Sequence, residues 1–287
     1  RPGKYPAPAS SRLFRQAGNR FELDAANTAR LAEVGLVSGA VFSDLDGDGD
    51  PDLVLACEWG SIRVFRNDHG TLTDATREWG LQDYLGWWNG VATGDFDGDG
   101  RLDIVAANWG RNTRYEPYRA QPLQVYFGDL DENGSTEVIE AYFDPQLQKQ
   151  VPERGLSVMA ASVPSVGARF KTHRDYALAS VQEAFGPALG RAKMLSANWL
   201  ESTVFLNRSH RFEARPLPVE AQFAPAFAVC VADLDHDGCE DIFLSQNFFA
   251  TQPEAPRLDA GRGLWLQGDG TGKLNAVPGQ KSGVEVY

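Results

Sequence analysis

Short apolar runs, separated by polar and glycine-rich segments, give this chain the hydrophobic pattern of an all-β protein. Residues 41–43 and 53–56 are two such runs, and residues 229–232 and 242–245 are another pair. Each pair flanks an acidic stretch, so the pattern places the acidic residues in loops between strands. A helical period occurs over residues 175–185, which end at Gly186 and Pro187, a typical helix stop.

Two further patterns repeat along the chain. Four segments have the pattern of a strand, a polar turn and a second strand: residues 13–22, 64–73, 204–213 and 264–275. Four others have the pattern of an apolar strand that ends in an aromatic residue: residues 53–59, 104–109, 195–199 and 242–248. A repeat of about 50 residues with about four strands is typical of propeller blades. The sequence therefore predicts an all-β fold, a β-propeller of four-stranded blades.

The strands group into four full blades, a lone N-terminal hairpin and a tail at residues 284–287 with the pattern of a strand. The ends either combine into a fifth blade or belong to a larger disc. We favour an arrangement in which residues 123–127 and 137–142 form the outer hairpin of the second blade. The third blade then starts near Asp144, resumes at residues 192–195 and supplies residues 195–199 as an inner strand.

A partly helical insertion over about 145–190 interrupts the third blade in this arrangement, within a single domain over residues 1–287. The alternative is that the third acidic loop opens a blade of its own, which the insertion interrupts. In the favoured arrangement the blade with the insertion has no acidic loop, so the loops are not one per blade.

The acidic loops share one sequence, which occurs four times, and they point to calcium. Asp stands at positions 1 and 3, Asp or Asn at position 5, Gly at position 6, and Asp or Glu at position 9. Oxygen atoms at alternate positions converge only if the chain curls tightly, which the Gly permits. The carbonyl of position 7 and the carboxylate of position 9 would close a cage of hard oxygens, which Ca²⁺ prefers, whereas Zn²⁺ prefers His or Cys. The predicted ligand residues are Asp44, Asp46, Asp48, Asp50 and Asp52; Asp95, Asp97, Asp99, Arg101 and Asp103; Asp129, Asp131, Asn133, Ser135 and Glu137; and Asp233, Asp235, Asp237, Cys239 and Asp241.

An EF-hand would begin with the same residues, but it needs Glu at position 12 and a helix on each side. Position 12 is Leu55, Ala106, Glu140 and Leu244 in the four loops, and the flanks are predicted strands. The sequence therefore predicts up to four structural Ca²⁺ ions in loops between β-strands. The alternative is a set of solvated turns rich in Asp and Gly.

Composition narrows the function. The formal net charge of −12 argues against nucleic acid, whose phosphates call for a basic surface. No apolar run approaches the length of a transmembrane helix. The chain begins with Arg1 and carries no signal-peptide pattern, as a mature or trimmed product would. The three cysteines form no disulfide framework, and Cys57 and Cys230 are expected to be buried thiols because they lie in apolar strands.

Aromatic residues recur near the ends of the predicted inner strands: Trp59, Trp109, Trp199 and Phe248. With the amides beside them, and with the basic residues Arg111, Arg114 and Arg119, these rings could form a face that binds a protein or a carbohydrate. The alternative is that the rings wedge neighbouring blades together.

No catalytic residue is predicted. The histidines, His69, His173, His210 and His236, belong to no nucleophile motif, and no phosphate-binding, dinucleotide-binding or zinc-protease motif is present. His236 lies within an acidic loop and is expected to be solvated. We therefore expect a non-enzymatic binding module. The alternatives are a polysaccharide hydrolase or lyase built on a propeller, or a scaffold domain of a larger exported protein.

In the acidic loops and the hairpin residues before them, the chain resembles the FG-GAP/VCBS repeat family, which includes bacterial relatives of the integrin alpha-subunit propeller. A similarity to proteins related to cartilage acidic protein 1 lies in residues 13–16, in residues 44–53 and in residues 75–80, which follow a hairpin. The resemblance covers nearly the whole chain apart from the insertion. It implies a secreted, periplasmic or cell-surface protein with a calcium-binding propeller, seven-bladed in the best-known relatives, that takes part in binding or adhesion.

Overall fold

A computed structural model describes residues 5–113, 115, 120–209, 211–251 and 256–284. The chain divides into two compact units, whereas the sequence led us to expect one domain. The major unit comprises Ser10–Glu116 and Trp199–Tyr287, and the inserted unit comprises Arg1–Ala9 and Pro117–Asn198.

The elements are named in chain order. The strands are β1 (Phe14–Ala17), β2 (Arg20–Leu23), β3 (Leu36–Ser43), β4 (Asp52–Gly60), β5 (Arg63–Asp68), β6 (Thr71–Asp74), β7 (Gly86–Trp87), β8 (Gly90–Gly94), β9 (Asp103–Ala107), β10 (Leu123–Gly128), β11 (Glu137–Asp144), β12 (Lys149–Pro152), β13 (Lys193–Ala197), β14 (Thr203–Asn207), β15 (Phe212–Pro216), β16 (Ala226–Ala232), β17 (Asp241–Gln246), β18 (Leu264–Gly268) and β19 (Leu274–Val277). The α-helices are α1 (Ala25–Arg30), α2 (Leu156–Ser162), α3 (Pro164–Arg169), α4 (His173–Ala177), α5 (Val181–Phe185) and α6 (Gly279–Ser282), and 3₁₀ helices cover Gly186–Arg191 and Val219–Gln222.

The major unit contains three antiparallel sheets that each have the four-stranded path of a propeller blade. Sheet I has the order β3-β4-β5-β6, with the short β7 also paired to β4. Sheet II has the order β8-β9-β14-β15, and sheet III has the order β16-β17-β18-β19. A separate hairpin, β1–β2, precedes sheet I. The predicted hairpins at residues 13–22, 64–73, 204–213 and 264–275 are thus confirmed.

The three sheets stack in the order I, II, III. Successive residues of a strand point to opposite faces, so the second strand of sheet II contributes to the buried clusters on both of its sides. Val54 of β4 and Ile104 of β9 share one buried cluster between sheets I and II. Val105, the next residue along β9, lies in the cluster that sheet II shares with Ile242 of sheet III. At Gly90 the first strands of sheets II and III meet so closely that a Cβ atom would lie 2.4 Å from the carbonyl oxygen of Phe227. A side chain at this glycine would separate the two sheets.

The inserted unit has its own four-stranded sheet, sheet IV, with the order β12-β11-β10-β13. Helices α2 to α5 cover one face of it, where Met159, Val166 and Phe185 pack with Ile139 and Ala141 in a buried cluster. The predicted helix over residues 175–185 is two short helices, α4 and α5. The break arises because the Ser180 side chain accepts a hydrogen bond from the Glu183 N–H, which begins a new helix with a capping box. The stop after Phe185 is confirmed.

The favoured grouping of strands in the second and third blades is wrong. The outer strands of sheet II are β14 and β15, which come after the inserted unit, and residues 123–127 and 137–142 instead form β10 and β11 at the centre of sheet IV. The strand within residues 195–199 is the end of β13, an edge strand of sheet IV. The interruption of the blade sequence is thus longer than the predicted 145–190, and it carries strands as well as helices.

Each four-stranded sheet contains one acidic loop, which corrects the expectation that the loops are shared unequally. The loops join β3 to β4, β8 to β9, β10 to β11 and β16 to β17.

Two predictions from composition have different outcomes. All three cysteines are free, as expected, and Cys57 is buried, but Cys230 is exposed because alternate residues of β16 face solvent.

No helix among the described residues is long and apolar enough to span a membrane.

Candidate metal sites

Each acidic loop is held in the same curled shape by hydrogen bonds from its own backbone to its first aspartate. The N–H of the Gly at position 6 donates to one carboxylate oxygen of position 1 in every loop, at 2.9–3.1 Å. The N–H of position 7 donates to the side-chain oxygen of position 5 in every loop, at 2.7–3.0 Å. These bonds draw the side chains of positions 1 and 5 to the inside of the curl.

Backbone conformation completes the curl at two positions. The Gly at position 6 has a positive φ in all four loops, between 82° and 91°. Position 4 also has a positive φ, and there the third and fourth loops carry Glu132 and His236 instead of glycine, each at 63°. An L-residue pays a steric cost in this conformation. His236 is exposed, so its predicted solvation is confirmed.

The acid at position 9 is the most buried acid of each loop. It is Asp52, Asp103, Glu137 or Asp241, and the three aspartates are completely buried. One oxygen accepts a hydrogen bond from the N–H of loop position 2, at 2.7–3.1 Å in the four loops. In the major unit the other oxygen accepts an N–H from the third strand of the same sheet, at 2.7–2.8 Å. Position 9 therefore ties the loop to its sheet, a role that sequence analysis did not predict, and in the third and fourth loops it also lies among the converging acids.

Three acids converge in every loop. The first two loops bring together positions 1, 3 and 5, and the last two bring together positions 1, 3 and 9, with one oxygen of each residue within 4.8 Å of the others. The converging residues are Asp44, Asp46 and Asp48; Asp95, Asp97 and Asp99; Asp129, Asp131 and Glu137; and Asp233, Asp235 and Asp241. The backbone carbonyls of Asp50, Arg101, Ser135 and Cys239 belong to the same tight curls.

The converging acids fit a hard divalent cation. Three carboxylates so close together repel one another unless a cation or protons neutralise them. The Oδ1 atoms of Asp97 and Asp131, both at position 3, are buried and have no hydrogen-bond partner among the described residues. A buried carboxylate oxygen without a partner is costly, and a bound cation would satisfy it. The donor set consists of oxygen atoms, which suits Ca²⁺ or Mg²⁺.

Burial and local partners shift the pKa of titratable groups at the first two loops. Burial raises the pKa of Asp52, and it raises the pKa of Asp103 to about 7, although each carboxylate accepts two backbone N–H bonds that act in the opposite direction. Beside the first loop, Nδ1 of His69 lies 2.7 Å from Asp50, and this hydrogen bond raises the pKa of the imidazole.

Positively charged side chains already contact the second loop. The Arg208 guanidinium forms ion pairs with Asp97 and Asp99, and Arg101 pairs with Asp99. In the fourth loop, by contrast, the contact to Asp235 comes from Gln267, an uncharged amide. A cation that binds the second loop would therefore compete with the Arg208 guanidinium for the carboxylates of Asp97 and Asp99. At Asp235 in the fourth loop, a cation would meet the uncharged amide of Gln267 instead.

Sequence analysis did not identify Asn207 as part of the site. Its side-chain amide donates to the carbonyl of Leu45 in the first loop, at 2.8 Å, and to that of Leu102 in the second, at 3.2 Å. Its backbone N–H donates to Asp103 at 2.7 Å. Asn67 has the matching place in sheet I, where it bonds Asp52 and the Pro51 carbonyl. The signal was the Asn at the same place near the end of both third strands, Asn67 in β5 and Asn207 in β14.

Three of the predicted aromatic residues, Trp59, Trp109 and Phe248, lie at the opposite end of the second strands from the acidic loops. Trp87 stands between two of them: its ring centroid is 4.7 Å from that of Trp59 and 4.1 Å from that of Trp109, with the second pair stacked. Phe248 lies 5.3 Å from Trp109, so the rings connect all three sheets of the major unit. Trp59 and Trp109 are buried, and Phe248 is half-buried.

Trp199 belongs to a different group of rings. Its edge meets Tyr84 at a centroid distance of 4.9 Å, and its indole N–H donates to the hydroxyl of Thr203 at 2.8 Å. Nearby, the guanidinium of Arg111 lies 3.4 Å from Glu201. Arg114, Arg119, His210 and residues 285–287 of the predicted tail strand lie outside the described residues.

Residues 44–106 match the family model of an FG-GAP-like repeat. The matched segment runs from the first aspartate of the first acidic loop into β9, and it confirms the resemblance to FG-GAP repeats over these residues, which include β4 to β8. A comparison with curated proteins finds no match to the chain.

Proposed function

Because an FG-GAP-like repeat lies where two of the four acidic clusters lie, we propose that this protein is a calcium-binding β-propeller module without catalytic activity. Its role is to bind a protein or a carbohydrate outside the cytoplasm, as a secreted, periplasmic or cell-surface protein. The observation that carries the proposal is the fourfold recurrence of three converging acids on one hydrogen-bonded loop scaffold.

Calcium has a structural role in this proposal. The loops join strands of the sheets, so an ion held by the three converging acids of a loop fixes the path from one strand to the next. In the second loop the ion would satisfy the buried oxygen of Asp97, and in the third that of Asp131. It would also neutralise the repulsion among the acids. When bound, Ca²⁺ supplies charge and coordination, and the chain supplies oxygen atoms held in place by its own N–H groups.

Calorimetric titration of the metal-free protein with Ca²⁺, Mg²⁺ and Zn²⁺ tests the identity of the ion. Calcium is expected to bind most tightly, and Asp233→Asn should remove the heat of one site. A matched control is Asp259→Asn, an exchange of an aspartate that lies outside the acidic loops. Zinc binding tighter than calcium, or a calcium titration unchanged by Asp233→Asn, would refute the proposed ligand.

Melting measurements test the structural role. Calcium at about 100 times the dissociation constant stabilises the folded state by about 2.7 kcal/mol per site. For a protein of this size, with an unfolding entropy of about 0.6 kcal/mol/K, that corresponds to a rise of about 4–5 °C in melting temperature. An unchanged melting temperature after addition of EDTA would show that the loops do not need a cation.

The aromatic end of the major unit is the proposed binding face. Phe248 is half-buried at the end of the aromatic series, with Phe227 stacked on it at a centroid distance of 6.0 Å and Phe249 69% exposed next to it in the chain. A screen against glycans and matrix proteins should find a ligand whose binding Phe249→Ala weakens without a change in melting temperature. Trp109→Ala is the control for stability, because its ring is buried. Turnover of a polysaccharide by the purified protein would refute the non-catalytic role.

A further inference from the structure

The N-terminal hairpin β1–β2 has the form of the outer half of a blade. Its residues 13–16, Leu-Phe-Arg-Gln, correspond to residues 64–67, Val-Phe-Arg-Asn, which begin the outer hairpin of sheet I. Both hairpins have four paired residues on each strand and a two-residue turn. Phe14 and Arg15 of β1 therefore correspond to Phe65 and Arg66 of β5.

The residue that corresponds to Phe14 is buried in every complete sheet of the major unit. Phe65, Phe205 and Leu266 each pair with the first apolar residue of their second strand, and they are 2%, 0% and 0% exposed. Phe14 is 51% exposed. The difference arises because β1 pairs with β2 alone among the described strands, so no described strand lies beside its other edge.

The free edge adjoins an exposed apolar surface. Phe14 lies opposite Leu23 and Phe21 lies opposite Gln16, which puts the three apolar side chains on one face of the hairpin. Phe21 is 77% exposed, and Leu23 is also exposed. A cavity of about 500 Å³ opens next to this face, with Leu13, Leu23 and Phe42 in its wall. An isolated two-stranded hairpin is marginally stable, and an unpaired edge is a template for another strand.

The positive charge on the hairpin indicates which kind of strand would pair with β1. Arg12, Arg15 and Arg20 are exposed on or beside the hairpin, in a chain whose net charge is −12. Two acids lie near them: Glu22 pairs with Arg15 at 3.5 Å, and Asp24 lies in the wall of the same cavity. A second copy would bring its own arginines against those of the first, and like charges across an interface are unfavourable. In the complete sheets, the strand at this place follows an acidic loop and begins with an aspartate, Asp52, Asp103 or Asp241.

We propose that the free edge of β1 binds an extended, acidic polypeptide strand of another protein by β-strand addition. The added strand hydrogen-bonds along β1, covers Phe14, Phe21 and Leu23 with its own apolar side chains, and directs its acids to the arginines. This site adds a partner to the proposed function without resting on the calcium sites, because the hairpin contains no acidic loop.

Fluorescence anisotropy tests the proposal with a labelled peptide of about eight residues that alternates valine with glutamate or threonine, long enough to span a strand. One control peptide has lysine in place of glutamate, and a second has a central proline, which blocks strand pairing. All titrations are made at one saturating calcium concentration, so that a failure of the calcium sites is seen separately, in calorimetry. The glutamate peptide is expected to bind at least about tenfold more tightly than either control.

Two variants locate the binding. Arg15→Glu and Phe21→Ser should each lower the affinity about tenfold, at an unchanged melting temperature, because both side chains are exposed. Arg66→Glu is the matched control, since it reverses the corresponding charge in the complete sheet I. Equal binding of the glutamate and lysine peptides, or an equal loss in Arg66→Glu, would overturn the proposal. So would a protein dimer that Phe21→Ser dissociates, since a second copy would then occupy the edge.

Discussion

Replacement of Asp52 by alanine is expected to destabilise the protein even in the absence of calcium. The Asp52 carboxylate is completely buried, and it accepts the N–H of Leu45 at 3.1 Å and the N–H of Asn67 at 2.8 Å. A buried N–H left without an acceptor costs about 1–3 kcal/mol, so two cost about 2–6 kcal/mol. Water can reach the half-buried Asn67, and removal of a buried charge returns part of the loss. The expected cost is therefore about 2–4 kcal/mol, a large part of a typical folding free energy.

Urea denaturation in EDTA measures this cost as a lower midpoint at an unchanged slope. Asp46→Ala, in the same loop, is the matched variant. Its side chain belongs to the converging cluster, so in EDTA it should change stability by about 0.5 kcal/mol or less, and in calcium it should lose the stabilisation by the ion. If Asp52→Ala unfolds like the wild type in EDTA, or if Asp46→Ala is equally destabilised there, the division between an anchoring acid and ligand acids is wrong.

Three further predictions concern separate regions. Burial raises the pKa of the Cys57 thiol to about 12, so a thiol reagent at pH 8 should label Cys57 only on unfolding, and rapid labelling of the double variant Cys230→Ala/Cys239→Ala, in which Cys57 is the remaining thiol, would contradict this. Hydrogen bonding to the Ser180 N–H lowers the pKa of Glu183 to about 2, below its unfolded value of about 4.3. Its stabilisation is therefore present above pH 4.3 and is lost as the pH falls towards 2, and denaturation of the wild type and Glu183→Gln across this range should converge at the acid end. Arg208→Ala should tighten calcium binding to the second loop by roughly three- to tenfold, since the guanidinium contacts its acids, and a weaker affinity in calorimetry would show that the arginine supports the site.

Local patterns predicted much of the fold. Each outer hairpin was predicted from alternating apolar residues around a polar turn. This succeeded because the two strands of a hairpin are neighbours in the sequence, so the local pattern contains both. The partner of β14 could not be found in this way. Its residues 204–207 have the same pattern as 64–67, but the strand that they pair with, β9, lies on the far side of the inserted unit. The nearer strands β10 and β11 were assigned to that place instead.

The acidic loops were predicted as loops between strands, and the structure brings three acids of each together. What the sequence could not show is that position 9 anchors its loop to the sheet, because an acid that accepts backbone N–H groups and one that binds a cation are the same residue type. In the first two loops Asp52 and Asp103 lie outside the converging clusters, whereas in the last two loops Glu137 and Asp241 belong to them. The exposure of Cys230 was not predicted for a similar reason, since the apolar residues of β16 gave no sign that alternate positions face solvent.

The interruption of sheet II determines how the major unit can fold. Ile104 pairs with Phe205, and closing a loop of about 100 residues costs roughly 4 kcal/mol of chain entropy before the pair contributes any stability. Early folding of the inserted unit shortens the effective loop and lowers that cost. Sheets I and III both pack on sheet II, so their docking must wait for β9 and β14 to meet. We therefore expect this long-range pairing to limit the folding rate, and the faces of sheets I and III to be open to aggregation while it forms.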